Sequence, residues 1–153
     1  MRIQRTTNGW SCLIASVATV LQVSVSTLVK DVGHDGSDIV FPGLIEPFCR
    51  RSFHIQEMMD CCELREFSLV GFEALPVSAA SGYFYELPIQ DPEARIKRLM
   101  KNRVGVLTGR NLQGLRHAVA WDGQLILDPA TGERYSLDYF NLEVFWRLQS
   151  NHF

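Results

Sequence analysis

The sequence predicts an α+β domain in which helices come first and an antiparallel sheet follows. Two observations carry this prediction. An unbroken apolar segment follows Cys12, whereas the chain after Val104 alternates short runs of branched residues with Gly, Pro and Asp turns. No repeat, low-complexity segment or linker interrupts the chain, and a hydrophobic content of 46% suffices for a core of its own. We therefore expect a single domain over residues 1–153.

The first helix is expected to begin at Cys12 and to continue to Gln22. Its apolar residues are spread around the helix rather than along one stripe, so the helix should be buried on every side. Ser11 directly precedes it, and a serine at this position commonly caps a helix with its hydroxyl group. Cys12 would therefore stand at the N-terminus of a buried helix.

Two more helices are expected before the sheet. A short helix should begin at Ser24 or Ser26 and end at Gly33, because glycine readily adopts the left-handed conformation that ends a helix. Residues 34–51 carry turn-forming residues without a sustained period and are expected to form a loop. Apolar residues at helical spacing then predict a helix over residues 53–65.

Strand-forming residues dominate from Glu66 onward. Extended chain is expected over residues 66–75 and 83–89, and Pro88 would confine the second of these strands to an edge. The tripeptide Asp91-Pro92-Glu93 predicts the start of a fourth helix, with a capping carboxylate followed by a proline that needs no amide partner.

Four strands are expected after the fourth helix. Three of them begin near Val104, Arg116 and Gln124, a turn follows at residues 130–133, and the last strand covers residues 143–148. These strands would form the antiparallel sheet against which the N-terminal helices pack.

The dipeptide Asp122-Gly123 predicts a two-residue hairpin turn, because both positions of such a turn favour positive φ. This turn would pair Trp121 with Gln124 and, further along the strands, His117 with Asp128. Directly opposed side chains lie about 5 Å apart, so His117 could serve as a base that Asp128 orients. The alternative is a polar pair without function, in which Asp128 only opens the following turn.

Cys12 is a candidate nucleophile, because the dipole and free amides of a helix N-terminus favour a thiolate. The alternative is that Cys12 is a small apolar residue of a core helix, which is the commoner fate of a free cysteine. The combination of Cys12 with His117 and Asp128 is more specific than any one of these signals.

The motifs around these residues resemble the papain-like cysteine peptidases, in particular the bacteriocin leader-processing (double-glycine) peptidases and their small stand-alone relatives. Gln4 precedes Cys12, and small and apolar helical residues follow it. The motif HAVAWDG contains His117 and the motif ILDPATG contains Asp128. The order Cys, His, Asp matches that branch. The resemblance covers both ends of the chain and leaves residues 34–105 without a motif.

The resemblance implies a papain-like fold and a hydrolase that cleaves a peptide or isopeptide bond in a peptide or protein substrate. Cys12 would attack the carbonyl and form a thioester, His117 would carry the proton and Asp128 would hold the imidazole, while Gln4 would donate to the oxyanion. No cofactor would take part. Two alternatives stay open: a deamidase or transglutaminase-like acyltransferase with the same triad, and an inert module that binds a peptide or protein.

Composition excludes several other classes of protein. A net charge of −2 gives no positive field for nucleic acid. The longest apolar run falls short of the roughly 20 residues that span a bilayer, so no membrane is expected. The four cysteines are interpreted as reduced thiols, which favours a cytoplasmic protein. The alternative of a secretory signal is disfavoured, since Asn8, Gly9 and Trp10 separate Arg5 from the apolar run.

No metal site is expected either. The remaining cysteines and histidines lack the ligand spacing of a zinc site: Cys49, Cys61, Cys62, His34, His54 and His152.

Overall fold

The computed structural model describes residues 1–6, 8–80 and 83–152, without the side chains of residues 77–84. Within these residues the chain is α+β, as predicted. The α-helices are α1 (Cys12–Leu21), α2 (Val25–Val32), α3 (Ile55–Glu63) and α4 (Pro92–Met100). The strands are β1 (Phe67–Glu73), β2 (Val77–Ala80), β3 (Tyr83–Glu86), β4 (Gly105–Arg110), β5 (Arg116–Trp121), β6 (Ile126–Leu127), β7 (Arg134–Tyr135) and β8 (Asn141–Ser150). A short 3₁₀ turn covers Leu137–Tyr139.

The strands of the main sheet are all antiparallel to their neighbours. The described part of this sheet has six strands in the order β1-β8-β4-β5-β6-β7, and β2 and β3 form a separate two-stranded sheet. The strands β4 and β5 therefore lie in the middle of the main sheet. The prediction of helices followed by an antiparallel sheet is confirmed.

The helix α1 begins at Cys12, as predicted, and residues 14–20 within it are all buried. Its two polar residues satisfy their hydroxyl groups on the helix backbone: Ser16 donates to the carbonyl of Cys12 and Thr19 donates to that of Ala15. The prediction that Ser11 caps the helix with its side chain is wrong, because its hydroxyl accepts no amide of the first turn. The start of α1 is consequently an uncapped helix N-terminus.

The next two helices follow the prediction closely. Ser24 rather than Ser26 caps α2, since its hydroxyl accepts the amide of Thr27, and Gly33 ends the helix with a φ of 87°. The helix α3 begins later than expected because His54 occupies the N-cap position and its side chain accepts the amide of Gln56, and it ends at Glu63 rather than at Arg65. The segment 34–51 between them is a loop, as predicted, apart from an isolated bridge between Ile39 and Arg50.

The structure differs from the prediction in the short strands. β2 and β7 were not predicted, and the strand expected from Gln124 is only two residues long. These strands are brief, and a two-residue strand has too few positions to show a period of two. The fourth helix is confirmed: Asp91 caps it by accepting the amide of Ala94, and Pro92 occupies its first turn.

Two hydrophobic clusters lie against the main sheet. Residues of α1, α2 and α3 pack with Val106, Ala120 and Leu127 in the first cluster. Neighbouring sheet residues such as Leu107 and Val119 join α4 in the second. Because adjacent strand residues point to opposite faces, the sheet separates the two clusters. Trp121 belongs to the second cluster, where its indole donates to the carbonyl of Met100.

Among the described residues, no single helix has the length and apolar composition to cross a membrane. The pair α1 and α2 passes such a test only when both are taken together, and the two are bent by 113° at their junction.

A β-bulge in β8, with Glu143 as the extra residue, lies next to Gly109 of β4 and close to His117. The pairing of β4 with β8 shifts register between Thr108 and Gly109, and Gly109 lies opposite His117 in the ladder between β4 and β5. A Cβ atom at Gly109 would collide with the backbone carbonyl oxygen of Asn141. Only glycine therefore lets the two strands approach at this point.

We expect the substitution Gly109→Ala to lower the free energy of unfolding by about 1–3 kcal/mol, since the backbone of β8 has to move to admit a methyl group. Gly43→Ala is the matched control, because a Cβ there meets no atom within 4 Å, and its effect should stay within about 0.5 kcal/mol. Urea unfolding of both variants measures the difference. If Gly109→Ala and Gly43→Ala were equally stable, the close approach of β8 would not require glycine at position 109.

Candidate active site

Cys12 is the first residue of α1 and the only one of the four cysteines that is partly exposed. The first helical hydrogen bond runs from the amide of Ala15 to the carbonyl of Ser11. The amides of Cys12, Leu13 and Ile14 therefore have no carbonyl partner within the helix. Since the Ser11 side chain does not cap this end, free amide donors and the positive end of the helix dipole lie beside Cys12.

His117 and Asp128 are in direct hydrogen-bond contact. Nε2 of His117 lies 3.0 Å from Oδ1 and 3.1 Å from Oδ2 of Asp128. The two side chains are only 14% and 6% exposed. With Nε2 engaged by the carboxylate, Nδ1 is the ring nitrogen left to exchange a proton with another group.

The hairpin register that predicted this contact is wrong by two residues. Trp121 pairs with Ile126 instead of Gln124, because residues 122–125 form a four-residue loop closed by a bond from the amide of Asp122 to the carbonyl of Leu125. The contact survives since a shift of two residues keeps every side chain on its face. His117 and Asp128 are then diagonal neighbours, within reach of a long side chain.

Two groups besides His117 donate to the carboxylate of Asp128, and a third holds the turn that carries it. The hydroxyl of Tyr135 donates to Oδ2 at 2.6 Å, and the amide of Ala130 donates to Oδ1 at 2.9 Å. Arg5 secures the turn itself, because its guanidinium donates to the carbonyls of Pro129 and Ala130, both at 3.1 Å. The N-terminal segment thereby fixes the position of the acid.

Tyr135 is a site residue that sequence reasoning missed. It lies on β7, the short edge strand that pairs with β6, and that strand was not predicted. The available signal was its position just after the 130–133 turn, which folds the chain back beside Asp128.

The pKa values of these groups are coupled. Burial lowers the pKa of His117, but the hydrogen bond to Asp128 and the interactions with nearby Cys12 outweigh burial and raise that pKa to about 9. Burial raises the pKa of Asp128, but the hydrogen bonds from His117 and Tyr135 and the positive charge of His117 more than offset it, so the net shift is downward. Burial and the bond to Asp128 raise the pKa of Tyr135. The arrangement favours an imidazolium on His117 beside an ionised carboxylate on Asp128.

Cys12 and His117 line one cleft with a volume of about 380 Å³. Its walls are formed by the turn before α1, by residues of the loop 34–51 and the segment that follows it, and by the adjacent end of β4 and start of β5. Its apolar residues are Trp10, Leu13, Pro47, Phe48, Phe53 and Ala118. The guanidinium of Arg116 lies at its rim with a side chain that is 73% exposed. We call this space the Cys12 cleft.

His117 also lines a second cavity of about 490 Å³. It is lined by Asn111, Leu112, Gln113, His117, Asp128, Ala130, Thr131, Glu133, Tyr135 and Tyr139. His117 is the residue that the two spaces share, and Cys12 lines only the first. We call the second space the Glu133 cavity.

The structure does not bring Gln4 to the Cys12 cleft. The backbone amide of Gln4 donates to Oγ1 of Thr19 at 2.9 Å. Seven residues separate Thr19 from Cys12 along α1, which amounts to about 10 Å of helix. Gln4 is absent from the described lining of the cleft. Of the predicted site residues, the fold thus brings together Cys12, His117 and Asp128, and it leaves the free amides of α1 as the donors beside the thiol.

None of the other cysteines and histidines is among the described lining residues of either space. Cys49, Cys61 and Cys62 are buried, and burial raises the pKa of Cys62 to about 12. His34 contacts the carboxylate of Glu57 at 2.6 Å. Over the described residues, no group of three or more His, Cys, Asp or Glu side chains is arranged to hold a metal ion.

Comparison with known proteins returned no matching family model, no matching curated protein and no matching solved structure.

We expect Tyr135→Phe to lower the free energy of unfolding by about 1–2 kcal/mol, because the buried carboxylate of Asp128 loses a hydrogen-bond donor. The matched control is Tyr139→Phe, since Tyr139 packs edge-on against Tyr135 and is 59% exposed. Its effect should be near zero. Chemical denaturation of both variants at neutral pH measures the difference. An equal loss of stability in the two variants would count against the hydrogen bond from Tyr135 to Asp128.

The imidazole of His117 should titrate with a midpoint near 9 in the wild-type protein. Cys12→Ala removes a neighbouring group that helps to raise the pKa of His117, so the midpoint should move to lower pH in that variant. An NMR titration of the Cε1 proton, assigned from its loss in His117→Gln, measures both values. A wild-type midpoint near the ordinary value of about 6.5 would contradict the coupling.

Proposed function

We propose that this protein is a cysteine-nucleophile hydrolase with a papain-like fold, and that it cleaves a peptide or isopeptide bond in a peptide or protein. One observation carries the proposal: the partly exposed thiol of Cys12 shares a cleft with His117, whose far ring nitrogen is held by the buried carboxylate of Asp128. Nucleophile, base and orienting acid are the three groups that such chemistry requires.

The charge arrangement supports Cys12 as the attacking group. A histidine whose pKa is raised to about 9 carries its proton at neutral pH. That positive charge and the dipole of α1 both favour a thiolate over a thiol. Asp128 keeps Nε2 of the imidazole engaged, so the proton to be delivered resides on Nδ1.

The reaction then proceeds in two stages. The Cys12 thiolate attacks the carbonyl carbon, and the tetrahedral intermediate collapses as Nδ1 of His117 passes its proton to the leaving nitrogen. The products of this stage are a free amine and a thioester on Cys12. Neutral His117 next takes a proton from water, whose hydroxide oxygen attacks the thioester, and collapse releases a carboxylic acid and restores the thiolate. The negative oxygen that forms in each stage is stabilised by the free amides at the start of α1, which replace the side-chain donor expected from Gln4.

A reducing compartment suits this chemistry. All four cysteines are free thiols, and oxidation of Cys12 would remove the nucleophile. We propose the cytoplasm as the place of action.

The first experiment follows alkylation of the native protein by iodoacetamide across a range of pH, with the modified residue located by mass spectrometry. We expect Cys12 alone to react, because the other three thiols are buried. Its rate should change by less than about threefold between pH 6 and 8, whereas an ordinary thiol gains nearly tenfold per pH unit. His117→Ala should restore that ordinary slope.

Two controls make the result decisive. Cys49→Ala, which removes a buried thiol, should leave the profile unchanged, and denatured protein should be alkylated at all four cysteines. If native Cys12 follows the ordinary slope, or if His117→Ala does not alter the profile, the cleft serves for binding and the hydrolase proposal is wrong.

A further inference from the structure

The Glu133 cavity lies where the leaving part of a substrate would go, and we propose that it selects a positively charged residue there. This inference rests on the proposed hydrolase function. The charged residue would lie on the amine side of the scissile bond. It would be the residue that contributes the leaving nitrogen, or the residue directly next to it. A lysine or arginine side chain has the required chemistry.

The direction of the substrate follows from the proton transfer. His117 has to reach the leaving nitrogen, while Cys12 bonds to the carbonyl carbon on the other side of the bond. Cys12 lines only the cleft named after it, and His117 lines both spaces. The acyl part therefore fits the Cys12 cleft, and the amine part continues past His117 into the Glu133 cavity.

The Glu133 cavity is anionic. Its described lining residues include two carboxylates, those of Asp128 and Glu133, and no lysine or arginine. The protonated His117 also lines the cavity, but Asp128 balances its charge, so Glu133 leaves a net negative charge there. Asp128 is committed to His117, Tyr135 and the amide of Ala130. Glu133 is exposed, and among the described residues only its backbone forms hydrogen bonds: its carbonyl accepts the amide of Asp128 and its amide donates to Oγ1 of Thr131. Its carboxylate is thus available to a ligand cation.

Two further lining residues suit a long cationic side chain. Leu112 is 60% exposed at the cavity edge, where it can cover the aliphatic stem of a lysine or arginine. The ring of Tyr139 stands edge-on to Tyr135 and is open to solvent, so its face can accept a cation.

The charges of the two spaces are opposite. Arg116 at the rim of the Cys12 cleft is only loosely paired with Glu143, at 3.8 Å. A basic residue on the acyl side would meet this guanidinium, whereas on the amine side it meets Glu133. Arg5 lies beside the turn of the Glu133 cavity, but its guanidinium is occupied by the carbonyls of Pro129 and Ala130.

The test measures binding separately from catalysis. Cys12→Ala protein is titrated with acetyl-Lys-Ala-amide, with acetyl-norleucine-Ala-amide and with acetyl-Glu-Ala-amide, and amide resonances of residues 111–115 and 130–135 are followed by NMR. The acetyl group stands for the acyl side. We expect the lysine peptide to bind at least about fivefold more tightly than the norleucine peptide, with the difference shrinking at high salt.

Glu133→Gln in the same background should abolish the preference for lysine. Glu86→Gln, which removes an exposed carboxylate remote from both spaces, should retain it. An equal affinity for the three peptides, or a lysine preference that persists in Glu133→Gln, would overturn the inference.

Failure of this inference is distinguishable from failure of the proposed function. If Cys12 shows the expected alkylation profile but the protein shows no preference for the lysine peptide, the cationic subsite is refuted and the hydrolase proposal is unaffected. A lysine preference combined with an ordinary thiol profile for Cys12 would keep the subsite as a binding site and refute the hydrolase.

Discussion

The contact between His117 and Asp128 is the interaction on which the candidate site depends. It joins two strands whose ladder is only two residue pairs long, so backbone pairing alone holds the strands weakly at this point. The side chains supply what the ladder lacks: Tyr135 from β7 and Arg5 from the N-terminal segment both fasten the Asp128 turn. Burial then makes each of these polar contacts costly to lose.

The start of α1 also lacks a local stabilising interaction that burial elsewhere offsets. A serine precedes the helix, yet its hydroxyl leaves the first amides unpaired. Loss of a cap typically costs about 1 kcal/mol of helix stability. The burial of residues 14–20 between the sheet and the other helices offsets such a cost. The helix therefore tolerates an N-terminus that Ser11 does not cap. The amides left free there are available to the negative oxygen that would form beside Cys12 in the proposed reaction.

The Cys12 cleft and the Glu133 cavity, which both contact His117, differ in the polarity of their lining residues. Aromatic and aliphatic residues dominate the Cys12 cleft, whereas amide, hydroxyl and carboxylate groups dominate the Glu133 cavity. The division follows from the fold, because loop 34–51 contributes only to the first space and the turns beyond β4 and β6 contribute mainly to the second. A ligand that crosses His117 would meet both environments.

The sequence by itself determined the helices, the long strands and the identity of Cys12, His117 and Asp128 as candidates, because caps, turns and residue periodicity are local signals. It also placed His117 and Asp128 on one face, despite a register error of two residues, since strand faces repeat with that same period. Only the tertiary structure decided the rest. The contact of Tyr135 with Asp128, the hold of Arg5 on the turn, the distance of Gln4 from Cys12 and the two spaces beside His117 all join segments distant in the chain, and such contacts depend on packing that no local pattern encodes.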